Sequence, residues 1–319
     1  MDALNTTTTT TMTNGVAAAA AVVTNGTAMA HNDDDHHAAT TTTTTTTAAA
    51  EAPTTTMRPY TLPVDKLRRR LTRPGKTPLV LVACGSFSPI TELHVQMFAM
   101  AGRHVATSRG PAGAFEVVGS YLSPVSDAYK KPALAPAPHR LAMCELAAAD
   151  ADVMVDPWEA LRCDAATREP VYTSTVDVLH HVDAEVNRDG GIETPDGMGK
   201  VRARVALLMG ADVAATMGDA RLWPVADVDG ILGRYGAFVV ERPAQTRTEE
   251  ALAPLRPRYD ETLWVVQAFD NDVSSTKIRA QLRSGERVLD LAPRVYEYIK
   301  THDLYHEETG HAKTNGVVQ

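Results

Sequence analysis

The 319-residue sequence predicts a three-layer α/β fold, a doubly wound parallel sheet behind a disordered amino-terminal tail. Three observations carry that expectation. Short, unbroken apolar runs such as Leu79-Val80-Leu81-Val82-Ala83 have the composition of strands buried on both faces. Segments of helical period follow them, so strand and helix alternate along the chain. The first residues are different: the runs Thr6–Thr11, Ala17–Ala21 and Thr40–Thr47 have too little apolar surface to offset the entropy of ordering a backbone. The division expected is a disordered tail over 1–57, one domain over 58–306 and a second disordered tail over 307–319.

Composition narrows the possible partners. A net charge of −8 argues against a dedicated nucleic-acid binder, whose footprint is a basic face. Cys84, Cys144 and Cys163 are too few and too scattered for a disulfide framework or a zinc site, which points to a reducing compartment, nucleus or cytoplasm. No apolar run has the length of a membrane span, and no membrane partner is expected. Arg68-Arg69-Arg70 reads as a solvated helix face rather than a nuclear address, and His31–His37 as solvated polar sequence rather than a metal site.

In chain order, the first strand runs through Leu79–Ala83 into Cys84-Gly85-Ser86-Phe87-Ser88-Pro89. Beyond Pro89 the period changes, and His94, Met97, Phe98 and Ala101 share one helical face, with His94 in the first turn. Phe115–Leu122 is the second strand, and Ser123–Pro132 a loop leaving its end. A helix over about His139–Ala149 precedes a short strand at Val153–Val155. Trp158–Pro170 is irregular, and Thr173 to about Asn187 is a helix behind a Thr-Ser cap. His180 and His181 lie late in it, where a cation suits the dipole. Arg188–Lys200, rich in glycine, reads as a flexible insertion. Val205–Met209 is a strand ending at Gly210-Ala211-Asp212, followed by strands at Ala237–Val240 and Trp264–Val266. A last strand through Asn271-Asp272-Val273 enters a helix capped at Ser274-Ser275-Thr276 and ended by Gly285. Taken together the elements are Rossmann-like.

Two of these strand-to-helix junctions have the makings of anion cradles. Backbone N–H groups and the positive end of a helix dipole point into each turn, and Gly85 would let a ligand approach the backbone without a Cβ in the way. Lys277 and Arg279 are cations in a helix's first turn, against the dipole's preference, which makes sense if an anion lies between. Lys130 and Lys131 add charge from a third strand-end loop, and Asp212 stands just past a strand's carboxyl end, in the crevice where open parallel sheets bind ligands. Adjacent cradles suit a polyphosphate such as a nucleoside triphosphate.

Gly85-Ser86-Phe87-Ser88-Pro89-Ile90-Thr91-Glu92-Leu93-His94 and Ser274-Ser275-Thr276-Lys277-Ile278-Arg279 resemble the two signatures of the nucleotidylyltransferase superfamily. Ser123–Lys131, Pro157-Trp158-Glu159, Leu207–Asp212, Leu222-Trp223, Tyr235–Arg242 and Ala292–Tyr305 extend the likeness to the eukaryotic nicotinamide/nicotinic acid mononucleotide adenylyltransferases, over about residues 77–306. The resemblance implies transfer of AMP from ATP to nicotinamide or nicotinate mononucleotide, with Mg2+ arriving on the ATP phosphates. It implies His94, Lys131 and Arg279 as catalytic residues. It assigns Gly85, Ser86, Phe87, Ser275, Thr276, Lys277 and Ile278 to the ATP phosphates, and Tyr129, Tyr172, Thr175, Gly210, Asp212, Leu222, Trp223, Arg242 and Asn271 to the mononucleotide or dinucleotide. A homo-oligomer is expected. Thr91 stands where the superfamily pattern has a first histidine, and Ser88 where some relatives have asparagine. The competing expectations are a related transferase with another phosphate acceptor and a catalytically idle, chaperone-like protein.

Overall fold

The computed structural model describes residues 60–241, 247–267, 273–286 and 288–305. The tails expected over 1–57 and 307–319, and the candidate residues Arg242 and Asn271, lie outside them. The strands are β1 (Thr77–Gly85), β2 (Phe115–Pro124), β3 (Met154–Val155), β4 (Ile192–Glu193), β5 (Lys200–Val201), β6 (Arg204–Gly210), β7 (Ala237–Val240) and β8 (Leu263–Val266). The helices are α1 (Glu92–Thr107), α2 (Ala137–Ala148), α3 (Trp158–Leu161), α4 (Thr175–Val186), α5 (Ala211–Thr216), α6 (Val225–Val228), α7 (Thr248–Leu252), α8 (Arg256–Tyr259), α9 (Ser275–Ser284) and α10 (Pro293–Thr301).

Six strands form one parallel sheet in the order β3-β2-β1-β6-β7-β8. The chain builds outward from β1 through β2 to β3, then returns to lay β6 on β1's other side and continues through β7 to β8. The order reverses between β1 and β6, so the carboxyl ends of these two strands open a crevice. Leu79 to Val82 are fully buried because both faces of the sheet are covered. Leu79 and Leu81 enter a core with Met97 and Phe98 of α1, Met143 of α2, Ile278 of α9 and Val295 of α10. Val80 and Val82, pointing the other way, pack with Val178 and Leu179 of α4 and Ala214 of α5. The three-layer expectation holds.

Local differences have clear causes. The expected flexible insertion is an ordered ribbon: β4 and β5 pair antiparallel, with positive-φ turns at Gly190, Gly191 and Gly197. Glu193 docks it by an ion pair to Arg70 at 2.7 Å. The arginine run is not a helix face. It is an extended arm whose Leu67 and Leu71 are buried, with Arg68 paired to the buried Glu116 at 2.8 Å. Val273 belongs to no strand, while the remainder of the expected last strand, Asn271-Asp272, lies outside the described residues. Within the irregular stretch after β3, Trp158–Leu161 forms a helical turn.

Candidate active site at the carboxyl ends of β1 and β6

β1 ends at Gly85, and the turn that follows folds back on itself. Phe87 has φ +42°, which brings its ring over Gly85, where a Cβ would lie 3.1 Å from a ring carbon. The space made by the missing side chain is therefore filled by Phe87, not kept open for a ligand. Phe87 is 4% exposed, so it shapes the turn from inside. Its ring meets the imidazole of His94 edge-on, 5.2 Å between centroids.

His94 is held from its own helix. Thr91 is the N-cap of α1, and its backbone N–H donates to His94 Nδ1 at 3.0 Å, with the Thr91 hydroxyl 2.8 Å from the same nitrogen. A nitrogen that accepts from an amide carries no proton, so the neutral ring bears its proton on Nε2. Thr91, which takes the place of the first histidine of the superfamily pattern, thus orients the one that remains.

The second junction closes on the first. Ser274 caps α9 by accepting from the Lys277 N–H at 3.2 Å. The Ser275 hydroxyl donates to the Pro89 carbonyl at 2.8 Å, and Arg279 Nη1 donates to the Ser88 carbonyl at 2.7 Å. Arg279 Nη2 donates to Thr276 Oγ1 at 3.2 Å. The guanidinium is thus compensated by neutral oxygens, where the sequence suggested an uncompensated cation. Among the described residues no carboxylate pairs with it, and burial pulls its pKa down. Ile278 is fully buried in the core, and its N–H is spent on the Ser274 carbonyl at 3.0 Å, so it anchors the helix and offers the cleft no group.

Lys131 joins this group from the loop after β2. Its Nζ lies 3.5 Å from Ser86 Oγ. Burial, then the charge of Arg279, lowers its pKa, while Asp212 in the first turn of α5 acts in the opposite direction. Ser86, Lys131, Arg279 and Asp212 therefore share one cleft at the β1/β6 crevice. Lys130 is exposed in a left-handed conformation at the end of a short turn. On the acceptor side, Tyr172 stacks on Tyr129 with centroids 6.4 Å apart and planes 15° apart. Thr175 opens α4 behind the cap Ser174. Gly210 is the N-cap of α5. Trp223, half-buried beside Leu222, donates its Nε1–H to Thr216 Oγ1 at 3.0 Å, so the tail of α5 sets its ring.

A cytidylyltransferase-like profile matches residues 82–281, a span reaching from β1 into α9 and so including both junctions. The chain belongs to that family. Within it, the chain is similar to the nicotinamide/nicotinic acid mononucleotide adenylyltransferases. It is 41% identical to enzyme 1 of Saccharomyces cerevisiae over 80% of this chain and 62% of that one. It is 42% identical to the Schizosaccharomyces pombe protein of that name, over 78% and 66%. With the Arabidopsis thaliana protein it shares 34% identity over 78% of this chain and 98% of the relative. The chain thus spans less than two thirds of the two yeast proteins' length and nearly all of the plant one's.

Several residues of this family site were not singled out from the sequence. Arg140 of α2 is completely buried and donates to the carbonyls of Ala135 at 2.7 Å, Ser86 at 3.3 Å and Val125 at 2.7 Å, and to Asp127 Oδ1 at 2.7 Å. It staples the first turn to the loop carrying Tyr129 and Lys131. Its only signal in sequence is an arginine beside Leu141, Met143 and Cys144 on an otherwise apolar helix. Glu159 lies beneath the acceptor side, 3% exposed, accepting from the Ser123 hydroxyl at 2.8 Å. Burial pushes its pKa up to about 8. His181 stacks flat on Trp158 at 3.8 Å, and burial lowers its pKa to about 4, so it is a neutral packing residue, not a cation completing the dipole of α4.

Proposed function

We propose that this protein transfers the adenylyl group of ATP to nicotinamide mononucleotide or nicotinate mononucleotide, giving NAD or deamido-NAD and pyrophosphate. The observation that carries the reading is the bond from Arg279 to the Ser88 carbonyl, which places the guanidinium on the same turn that leads to His94. Both helix ends then face one polyanion. The names of the relatives at 41–42% identity point the same way.

In this reaction an oxygen of the mononucleotide's 5′-phosphate attacks the α-phosphorus of ATP, and the bond to the β-phosphate oxygen breaks to release pyrophosphate. The attacking oxygen is already ionised near neutral pH, so no general base is needed. What the site supplies is alignment and charge. His94 offers a donor at Nε2, held by Thr91, and Lys131 and Arg279 offer cations whose partial burial strengthens their field at short range. The stacked pair Tyr129 and Tyr172 presents a flat face to a heteroaromatic ring. Magnesium, when bound, neutralises charge on the phosphates. Among the described residues no three His, Cys, Asp or Glu side chains converge, so the donor set on offer for that ion is phosphate oxygen and water.

The same reading carries a homo-oligomer in the nucleus or cytoplasm, with no nucleic-acid partner, in line with the charge of −8. Among the described residues no helix is long and apolar enough to cross a membrane. Pyrophosphate release with ATP and a panel of acceptors tests the reaction. Turnover with either pyridine mononucleotide and none with phosphopantetheine or glycerol phosphate is the expected result, and the reverse selectivity overturns it.

A further inference from the structure

Ser88 does more than turn the chain. It is 2% exposed, so its hydroxyl must find its partners inside the protein. Three are present: the Ala135 N–H at 2.9 Å, the Ala133 carbonyl at 3.2 Å and the hydroxyl of Tyr305 at 3.0 Å. The proton count assigns them. A hydroxyl has one proton and two lone pairs. The Ala135 amide can only donate, and the Ala133 carbonyl can only accept. The Ser88 proton therefore goes to Ala133, leaving one lone pair for the proton of Tyr305.

The other end of the same residue holds the site. The Ser88 carbonyl is what Arg279 Nη1 grips at 2.7 Å, and Ala133 and Ala135 belong to the loop that carries Lys131. Tyr305, arriving just after α10, is 8% exposed and lies within electrostatic reach of both Arg279 and Arg140. Its hydroxyl thus fastens the residue from which the cation of one junction and the loop of the other are both hung.

We propose that Tyr305 is a positioning residue for the ATP phosphates, acting through Ser88 to set where Arg279 points. It rests on the adenylyl-transfer reading only for its kinetic arm. Tyr305→Phe keeps the buried ring and deletes the one donor. Titration calorimetry of the full chain with ATP alone should show affinity weakened about three- to tenfold, the size of one neutral hydrogen bond. In steady-state assays KM for ATP should rise while KM for the mononucleotide stays put, a split that a general loss of stability does not produce. In an Arg279→Lys background the same change should cost nothing further, because the group it positions is gone. Ser88→Ala, which removes the other half of the contact, should reproduce the split. Unchanged ATP affinity, equal losses for both substrates, or full additivity with Arg279→Lys would each overturn the proposal. Absence of pyrophosphate from the wild-type protein would strike the reaction assignment alone, since the ATP titration needs no acceptor.

Discussion

The two junctions that face the cleft are built on opposite principles. His94 is oriented by Thr91, three residues away in its own helix start, at 3.0 Å. Arg279 is oriented by Ser88, on another element and 191 residues earlier, at 2.7 Å. The first is a local capping device carrying a catalytic group. The second is a product of tertiary packing, and it depends on everything that fixes the turn at 85–91, Arg140 and Tyr305 included. A local device should fail through its own residue and leave the rest standing. A distributed one should respond to changes far from the substrate.

The largest effect should come from the distributed side. Arg140→Met removes the guanidinium that satisfies three carbonyls and Asp127. It should lower stability by about 3 kcal/mol in urea unfolding, because the partners are left buried and unpaired. A loss under about 1 kcal/mol would show that water replaces it easily. His94→Ala should reduce turnover by about a hundredfold or more, the order expected for one preorganised donor, with thermal stability little changed. Wild-type pyrophosphate release would remove His94 from the chemistry.

Arg279→Lys should cost about tenfold in kcat/KM, since a point charge cannot both hold the Ser88 carbonyl and meet a phosphate as a planar fork does. Thr91→Val keeps the backbone donor to Nδ1 and deletes only the hydroxyl cap. It should cost about 1 kcal/mol of stability and less turnover than His94→Ala. Equal damage from the two would mean that the hydroxyl, not the amide, orients the imidazole.

The smallest effect is a pH signature of the acceptor side. Glu159 titrates near 8 in the folded protein against 4.5 as its ordinary value, so between these values the fold holds a proton that the unfolded chain has released. Stability contributed through this group is intact below about 4.5, is lost progressively as pH rises to about 8, and then levels off. Glu159→Gln should therefore become more stable relative to wild type as pH rises through that window. A pH-independent difference would show the carboxyl to be ionised throughout.

Strand and helix order was legible in the sequence because buried parallel strands are written as unbroken apolar runs and their helices as 3.6-residue spacing. Leu79–Ala83 and the helix of His94 are clear cases. The caps at Ser274 and Ser174 and the stop at Gly285 were legible too, being local chemistry. The resemblance of the two signatures pointed to Lys131 and Arg279, and the structure brings them together with Ser86. Other details misled. Gly85 looked like room for a ligand until the ring of Phe87 filled it, and Ile278 falls within the second signature yet faces the core. The glycines of 188–200 suggested flexibility because φ freedom is visible in a sequence, whereas the pairing of β4 with β5 and the dock to Arg70 are not.

By itself the chain's residue order settled the alternation of elements, the two capped helix starts and the chemical types available at each. Those depend on neighbours within a few positions, where period, capping and turn chemistry act. Only the folded arrangement decided that the strand order reverses between β1 and β6, that Ser88 and Tyr305 meet across 217 positions, and that a buried arginine on α2 binds the walls together. Contacts of that kind join segments whose separation along the chain leaves no periodic trace, and they form because the sheet brings the carboxyl ends of its central strands to one edge.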